Sequence, residues 1–559
     1  MKRFFIILSA IALASTAASA QDSYYAEMLS RNNYYGTARS IGLGGAMTAL
    51  GGDLGSIMYN PAGSAVNDYC QFTITPGLLF SVAKASYDPT GLGTDFGNPT
   101  TTSHTKFNIP NVGLNLVFYP EYESWITSTS LGVIANTTNT YLRYTTGRGV
   151  NAQTSFLGSL AAAANGTAPN DFGRDLDAAY DGNQLGEYGP EGSLLYVGAN
   201  QMLRADESWA YVPGALNQAA IYNTYGTKTD VAFNLAFNVQ DRFYFGFNVN
   251  VPSLNYRREE IFSEAAQQPE AFPVIFYGSD DKLVSTNYKS SSNTYRLNTD
   301  GLGINARFGF IALITESLRF GAAIQTPTRL NLKETWEYRA SSTYDVSQFN
   351  SSASSSIGEY DYSLRTPYVV DAGIAYTVPG LGLLSIDYEL MDYSVMKYYR
   401  PDGGYFGEDV WAKQNYINNT FCGISHSVRA GVEFKPIPSV ALRAGYSFVS
   451  DPEKYWLNNE GQRVTAETWQ GYNEVLTESH YFDKVTHGIS VGAGYSSSGS
   501  FFADFALRMT TYPTVSYSPY YYGSYDAQDK DGNYIAVLDP LERIEHSIFD
   551  AVLTLGWRF

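Results

Sequence analysis

Between residues 230 and 251, hydrophobic and polar side chains change places at every step. Val231, Phe233, Leu235, Phe237 and Val239 fall on one face, and Asp230, Ala232, Asn234, Ala236 and Asn238 fall on the other. After residues 240–242 the pattern resumes, with Phe243, Phe245, Phe247, Val249 and Val251 opposite Tyr244, Gly246, Asn248 and Asn250. Period two is the spacing of a β-strand, and the short break predicts an antiparallel hairpin. The same alternation recurs through Val440, Leu442, Ala444, Tyr446 and Phe448, through Phe501, Ala503, Phe505, Leu507 and Met509, and through Phe549, Ala551, Leu553, Leu555, Trp557 and Phe559. The opposite faces of these segments carry Arg443, Asp504, Arg508, Asp550 and Arg558.

Counted along the chain, such segments predict about fourteen strands, starting near residues 71, 106, 127, 224, 243, 291, 318, 361, 382, 422, 439, 481, 500 and 544. Their connections alternate in length. Residues 119–125, 240–242, 315–317, 378–382, 435–439 and 496–499 are short links, and those between them are long, the longest spanning 146–222. Short turns at one end and long loops at the other predict an all-β fold, a transmembrane antiparallel β-barrel, with the short set in the periplasm. A soluble β-sandwich also alternates, but its polar face would meet bulk water and be rich in Lys and Glu. Here the polar faces mix small residues with Asp371, Asp387, Glu389, Arg429, Glu433, Arg443, Asp504 and Arg508, which suits a partly ion-paired lumen wall.

The first residues change the picture of where the barrel resides. Met1, Lys2 and Arg3 precede an apolar run over 4–14 and the small-residue sequence Ala18-Ser19-Ala20. This predicts a signal peptide over 1–20, removed before Gln21, and an outer-membrane location in a Gram-negative bacterium. Beyond it no run of about 18 apolar residues remains to form a helical span. Tyr, at 46, outnumbers Lys and Arg together at 36, and aromatic residues make up 15% of the chain, too many for a disordered one. The net charge of −18 would repel a phosphate backbone, so nucleic acid is excluded as a partner. Two cysteines, Cys70 and Cys422, are placed by this topology at opposite ends of the barrel and are expected to stay unpaired.

Residues 21–69 lack the alternation. Glycines, among them Gly42, Gly44 and Gly45, are interleaved with Ile41, Leu43, Met47, Leu50, Ile57 and Met58, and Asn60-Pro61-Ala62-Gly63 follows. Glycine lets backbone pass close to backbone, so the segment reads as a plug within the barrel that follows over 70–559. Here the chain resembles the FadL-like family of long-chain fatty-acid and hydrophobic-compound channels. The resemblance rests on the Gly-rich start, on Asn60-Pro61-Ala62 as that family's hatch motif, on segments 319–327, 364–393 and 428–446, and on the terminal Phe559. It implies a monomeric fourteen-stranded barrel, a hatch occluding the lumen, and passive uptake of a hydrophobic small molecule such as a long-chain fatty acid from the outer-membrane lipid or beyond. It further implies hatch rearrangement and sideways exit through a gap in the wall, with Asn60, Pro61, Ala62, Gly44 and Gly45 near the ligand path.

Other chemistry is sparse. Phe156, Leu157 and Leu160 share one face of a helix predicted to start at Thr154 or Ser155, and could form an apolar groove for an acyl chain or simply pack on their own loop. Gly488-Ile489-Ser490-Val491-Gly492 matches a lipase pattern, but Val485, His487, Ile489, Val491 and Ala493 continue one strand where that motif needs an elbow, so no enzyme is expected. Asp529-Lys530-Asp531-Gly532 is only part of a calcium loop. His104, His426, His480, His487 and His546 lack metal-ligand spacing, and no nucleotide-binding loop is present, so no metal or cofactor is expected. The alternatives are a haem uptake receptor using His104 or His480, a surface-loop receptor or adhesin, and a polar porin.

Overall fold

The structure is a computed structural model that describes residues 23–122, 124–188, 194–203, 210–278, 282–400, 410–521 and 538–559. The expected signal peptide and Asp529-Lys530-Asp531-Gly532 lie outside the described residues. Fourteen strands form the ring. They are β1 (Gln71–Asp88), β2 (Thr100–Phe118), β3 (Ile126–Asn139, resuming as Arg143–Asn151), β4 (Leu216–Val239), β5 (Phe243–Ala266), β6 (Leu283–Leu313) and β7 (Leu318–Gln325, resuming as Arg329–Tyr344). The ring continues with β8 (Gly358–Arg365, resuming as Val369–Val378), β9 (Gly382–Asp392, resuming as Lys397–Tyr399), β10 (Ile424–Ile437), β11 (Val440–Ser450), β12 (Val485–Ser496), β13 (Phe501–Thr511, resuming as Val515–Tyr517) and β14 (Leu541–Arg558). Each pairs antiparallel with its sequence neighbour. The ring closes where β1 pairs with β14, from Phe72 against Trp557 to Asp88 against Leu541. Reciprocal backbone bonds between Cys70 and Phe559, 3.1 and 3.0 Å, finish that seam.

The two faces of the wall are inverted relative to a soluble protein. In β4 and β5 the apolar face is the exposed one, with Phe233 52% and Phe245 46% accessible, while Asn234, Asn248 and Asn250 are buried. The same holds around the ring, where Phe308, Ile324, Ile374, Ile386, Leu442 and Ile489 point out and Arg307, Asp371, Asp387, Glu389, Arg429 and Arg443 point in. An outward apolar band around a polar interior is the surface a barrel presents to lipid chains. No helix among the described residues is long and apolar enough to cross a membrane.

Strand positions read from the alternation agree with the structure, and all six short links fall at one end. The loop expected over 146–222 is shorter than that. The second half of β3, Arg143–Asn151, pairs with Leu216–Thr224 of β4, so the ladder runs on past the apolar band. Out there neither face must be greasy, and the binary pattern that marks a strand fades.

Candidate functional site

Inside the ring lies the N-terminal segment. It carries helix α1 (Ser23–Ser30), helix α2 (Ala38–Gly42) and two 3-10 turns, Leu54–Met58 and Pro61–Val66. Local chemistry fixes each start. Thr37 caps α2, accepting from the Ser40 amide, Asp53 accepts from the Gly55 amide, and Asn60 accepts from the Ala62 amide with Pro61 as the first residue of its turn. The segment is bonded to the wall on every side. The Ala38 amide donates to Thr554 Oγ1 (2.7 Å), the Thr48 amide to Asp387 Oδ2 (2.6 Å), Arg319 Nη1 to Leu50 O (2.9 Å) and Arg508 Nη1 to Tyr34 O (3.0 Å). Asn60 Nδ2 reaches both Thr48 O (2.7 Å) and the wall carbonyl of Phe310 (3.0 Å).

Such closeness depends on wall glycines. A Cβ on Gly246 would stand 2.2 Å from the Ala62 nitrogen, one on Gly321 2.2 Å from Thr48 O, and one on Gly445 2.1 Å from the Gly44 nitrogen. Gly44 and Gly45 themselves have φ of 65° and 81°, the left-handed region that favours glycine. The inward charges compensate one another. Arg307 pairs with Asp371, Arg429 with Glu389 (2.7 Å), Arg508 with Asp550 (2.7 Å), and Arg443 with both Glu433 (2.7 Å) and Asp504 (2.5 Å). Arg39 of α2 joins this network through Glu433 at 3.2 Å. Buried charges are tolerated when paired in this way.

On the long-loop side of the segment, α1 and the wall enclose a partly open cavity of about 160 Å³. Its apolar lining is Met28, Leu142, Pro513, Val515, Ile544 and Ile548, and Tyr24, Tyr141 and Tyr512 add rings. Charge gathers at one part of the lining, where Glu27 of α1 and Arg31 just beyond it meet Asp451, Glu453 and Lys484 of the wall. Burial pushes the Glu27 carboxyl up to about 7, Arg31 opposes that, and Asp451 and Glu453 add to it. The Tyr141 hydroxyl and Arg143 Nε, both of residues on the lining, make no hydrogen bond among the described residues.

Beside this cavity the wall lacks its ladder. β2 and β3 pair only from Asn111 against Asn136 to Phe118 against Thr129. Beyond Pro110, which has no N–H to give, β2 pairs with β1 alone. The chain of β3 turns away at Asn139, whose side-chain oxygen accepts from the amides of Thr140 (2.8 Å) and Tyr141 (3.2 Å) and so makes an Asx-type turn. Tyr141 sits at φ 50°, a strained value for a tyrosine. Leu142 then packs against Leu79 and Ile548 inside the ring. The unpaired stretch is bridged by side chains, with His104 stacked on Tyr144 at 4.1 Å and Lys106 Nζ donating to Gly226 O at 3.0 Å.

None of Asn60, Pro61, Ala62, Gly44 and Gly45 lines the cavity; they seat the segment against the wall on its short-turn side. Phe156, Leu157 and Leu160 lie on helix α3 (Phe156–Ala164), capped by Ser155. They leave no groove open. Leu157 and Leu160 are buried among Leu176, Leu185, Val212 and Phe272, and Phe156 packs on Phe262 and Tyr520, because the loop's own apolar side chains fill that face. Ser490 is in mid-strand with its hydroxyl on Gly42 O at 3.4 Å, as the alternation predicted. Both cysteines are free, Cys70 at the short-turn seam and Cys422 buried against Ser23 near α1. Sequence reasoning missed Asn139 to Arg143, whose residue types read locally as a strand end.

No family model matches the chain, and no curated protein matches it. In overall fold it is similar to the crystal structure of a Pseudomonas aeruginosa FadL homologue, at 14% identity over 95% of this chain and 99% of that one, with a TM-score of 0.48. It is similar also to the P. putida toluene transporter TodX, at 12% identity over 94% and 98% with a TM-score of 0.46, and to the monoaromatic hydrocarbon channel CymD, at 12% over 94% and 97% with 0.43.

Proposed function

We propose that this chain is an outer-membrane channel for passive entry of a hydrophobic small molecule, with the N-terminal segment acting as its hatch. The observation that carries the reading is the juxtaposition of the cavity, the occluded lumen beneath it and the unladdered wall beside it. A solute that leaves water in the cavity gains from burial of apolar surface, about 25 cal/mol per Å². Its polar end would find Tyr141 and Arg143, whose free groups are buried there. With the N-terminal segment bonded across the lumen, the route for an apolar molecule is sideways between β2 and β3, where side chains such as His104, Tyr144 and Lys106 take the place of the backbone ladder.

Size narrows the solute. A cavity of about 150 Å³ is enough for one benzene-sized ring, so the 160 Å³ here suits a single ring or a short segment of an acyl chain at a time. A haem macrocycle is several rings across, and the cavity gives that alternative no support. Equilibrium binding of toluene to the detergent-solubilised protein tests the reading, with Met28→Trp placed to fill the cavity. The expected result is saturable binding that falls about tenfold or more in the variant. Equal binding by both proteins, or none by either, would remove the cavity from the route.

A further inference from the structure

On the outside of the barrel, three neighbouring strands break at one level. β7 is interrupted at Pro327, β8 at Pro367, and β9 by the turn Tyr393–Val395. The two proline breaks are stitched together, with the Thr366 amide donating to Thr328 O (2.9 Å) and the Thr328 amide to Thr366 Oγ1 (3.0 Å). The residue next to each break is a cation. Arg329 stands directly opposite Arg365, and Arg365 directly opposite Lys397. All three are exposed, and they share the outward face of the wall. Like charges in directly opposed positions repel, so sheets normally avoid them.

Several other cations of this outer face have carboxylate partners. Arg257 meets Asp300 at 3.1 Å, Arg296 meets Glu259 at 2.9 Å, and Lys333 meets Glu359 at 2.6 Å. Among the described residues no carboxylate comes within ion-pair distance of Arg365 or Lys397. The Arg365 guanidinium gives one N–H to Val395 O (3.0 Å), and the Arg329 guanidinium lies over the Tyr399 ring at 5.1 Å, so two of the three cations are held in place rather than left to sway. The row also marks a boundary. Ile304, 57% exposed in the apolar band, is the cross-strand neighbour of Arg329, and Ile324 and Val370 face outward just across the breaks.

We infer that this row is a binding site for the phosphorylated head group of a membrane lipid. It rests on the reading of the chain as a membrane barrel, which puts the upper edge of the apolar band among head groups. A phosphate there would bridge Arg365 and Lys397 by charge-assisted hydrogen bonds while the lipid's acyl chains lie along Ile304 and Ile324. That arrangement sets an anion between the directly opposed Arg365 and Lys397, and the strand breaks provide the irregular backbone on which the cations gather.

Native mass spectrometry of the barrel in neutral detergent, titrated with diphosphorylated lipid A and with its dephosphorylated form, tests this. The expected result is retention of the phosphorylated lipid, not displaced by millimolar inorganic phosphate, and a loss of about tenfold or more in apparent affinity in Arg365→Gln/Lys397→Gln. A second double variant, Arg257→Gln/Arg296→Gln, removes cations that already have partners and should bind as the parent does. The site is overturned if the two lipid forms bind alike, if both double variants bind alike, or if free phosphate competes fully. A gel shift between boiled and unboiled samples reports separately that each variant is still a barrel.

Discussion

Asn60 uses both ends of its amide at a fully buried position. Its oxygen accepts from the Ala62 amide at 3.1 Å, while its nitrogen serves Thr48 O within the segment and Phe310 O on the wall. Aspartate keeps the first of these and turns the others into carboxylate facing carbonyl. Leaving such buried groups without partners costs on the order of 1–3 kcal/mol, and more where a charge is involved. Asn60→Asp should therefore release residues 23–69 to added protease at a lower urea concentration than the parent protein, with the heat-induced gel shift unchanged. Identical protease resistance would mean that Asn60 does not seat the segment. The same tightness explains Gly246, whose place no larger residue can take without pushing Pro61 and Ala62 away.

At the scale of elements, α1 is the piece of the N-terminal segment that borders the cavity, and charge governs its docking. Glu27 faces Arg31 just past the end of its helix, and Asp451, Glu453 and Lys484 on the wall. A carboxyl held at about 7, against an ordinary 4.5, favours the folded state while protonated. That contribution is complete below 4.5 and is lost as pH rises through 7. A nitroxide at position 24 should accordingly become more mobile between pH 5 and 8, and Glu27→Gln should flatten the profile; a profile unaltered by Glu27→Gln would assign the change to another group. Lys228 holds the C-terminal end of the helix, its ammonium donating to Leu29 O, Ser30 O and Asn32 Oδ1. Of these elements, the strands were legible because a two-sided wall forces alternation on residues such as Val231 to Val251. Of residues 23–69, Gly44, Gly45 and Asn60 carry backbone constraints that show as residue types. The cavity was not legible, because it arises where β3 leaves its ladder at an Asx turn, and Asn139 to Arg143 look locally like any strand end. Phe156, Leu157 and Leu160 left two readings open, as an apolar helical face reads the same whether a ligand or protein covers it, and the structure packs them against protein.

At the scale of the whole molecule, the same inversion accounts for the interior and the exterior. Polar residues are buried because the lumen is filled by residues 23–69, whose backbone must be satisfied, and apolar residues are exposed because the outside is meant for lipid. The ion pairs Arg443–Glu433–Arg39 and the hydrogen bond from Arg508 to Tyr34 O join the N-terminal segment to the wall, so the closed lumen should be electrically quiet, unlike a water-filled porin. The central claim is the direction in which each strand faces, and one measurement addresses it. Nitroxides placed singly from 231 to 239 in the protein reconstituted into liposomes should collide with oxygen, which partitions into lipid, at 231, 233, 235, 237 and 239, and be shielded at the even positions between them. Access of a water-soluble nickel complex to the odd positions, or the absence of a two-residue period, would contradict the barrel and the function built upon it.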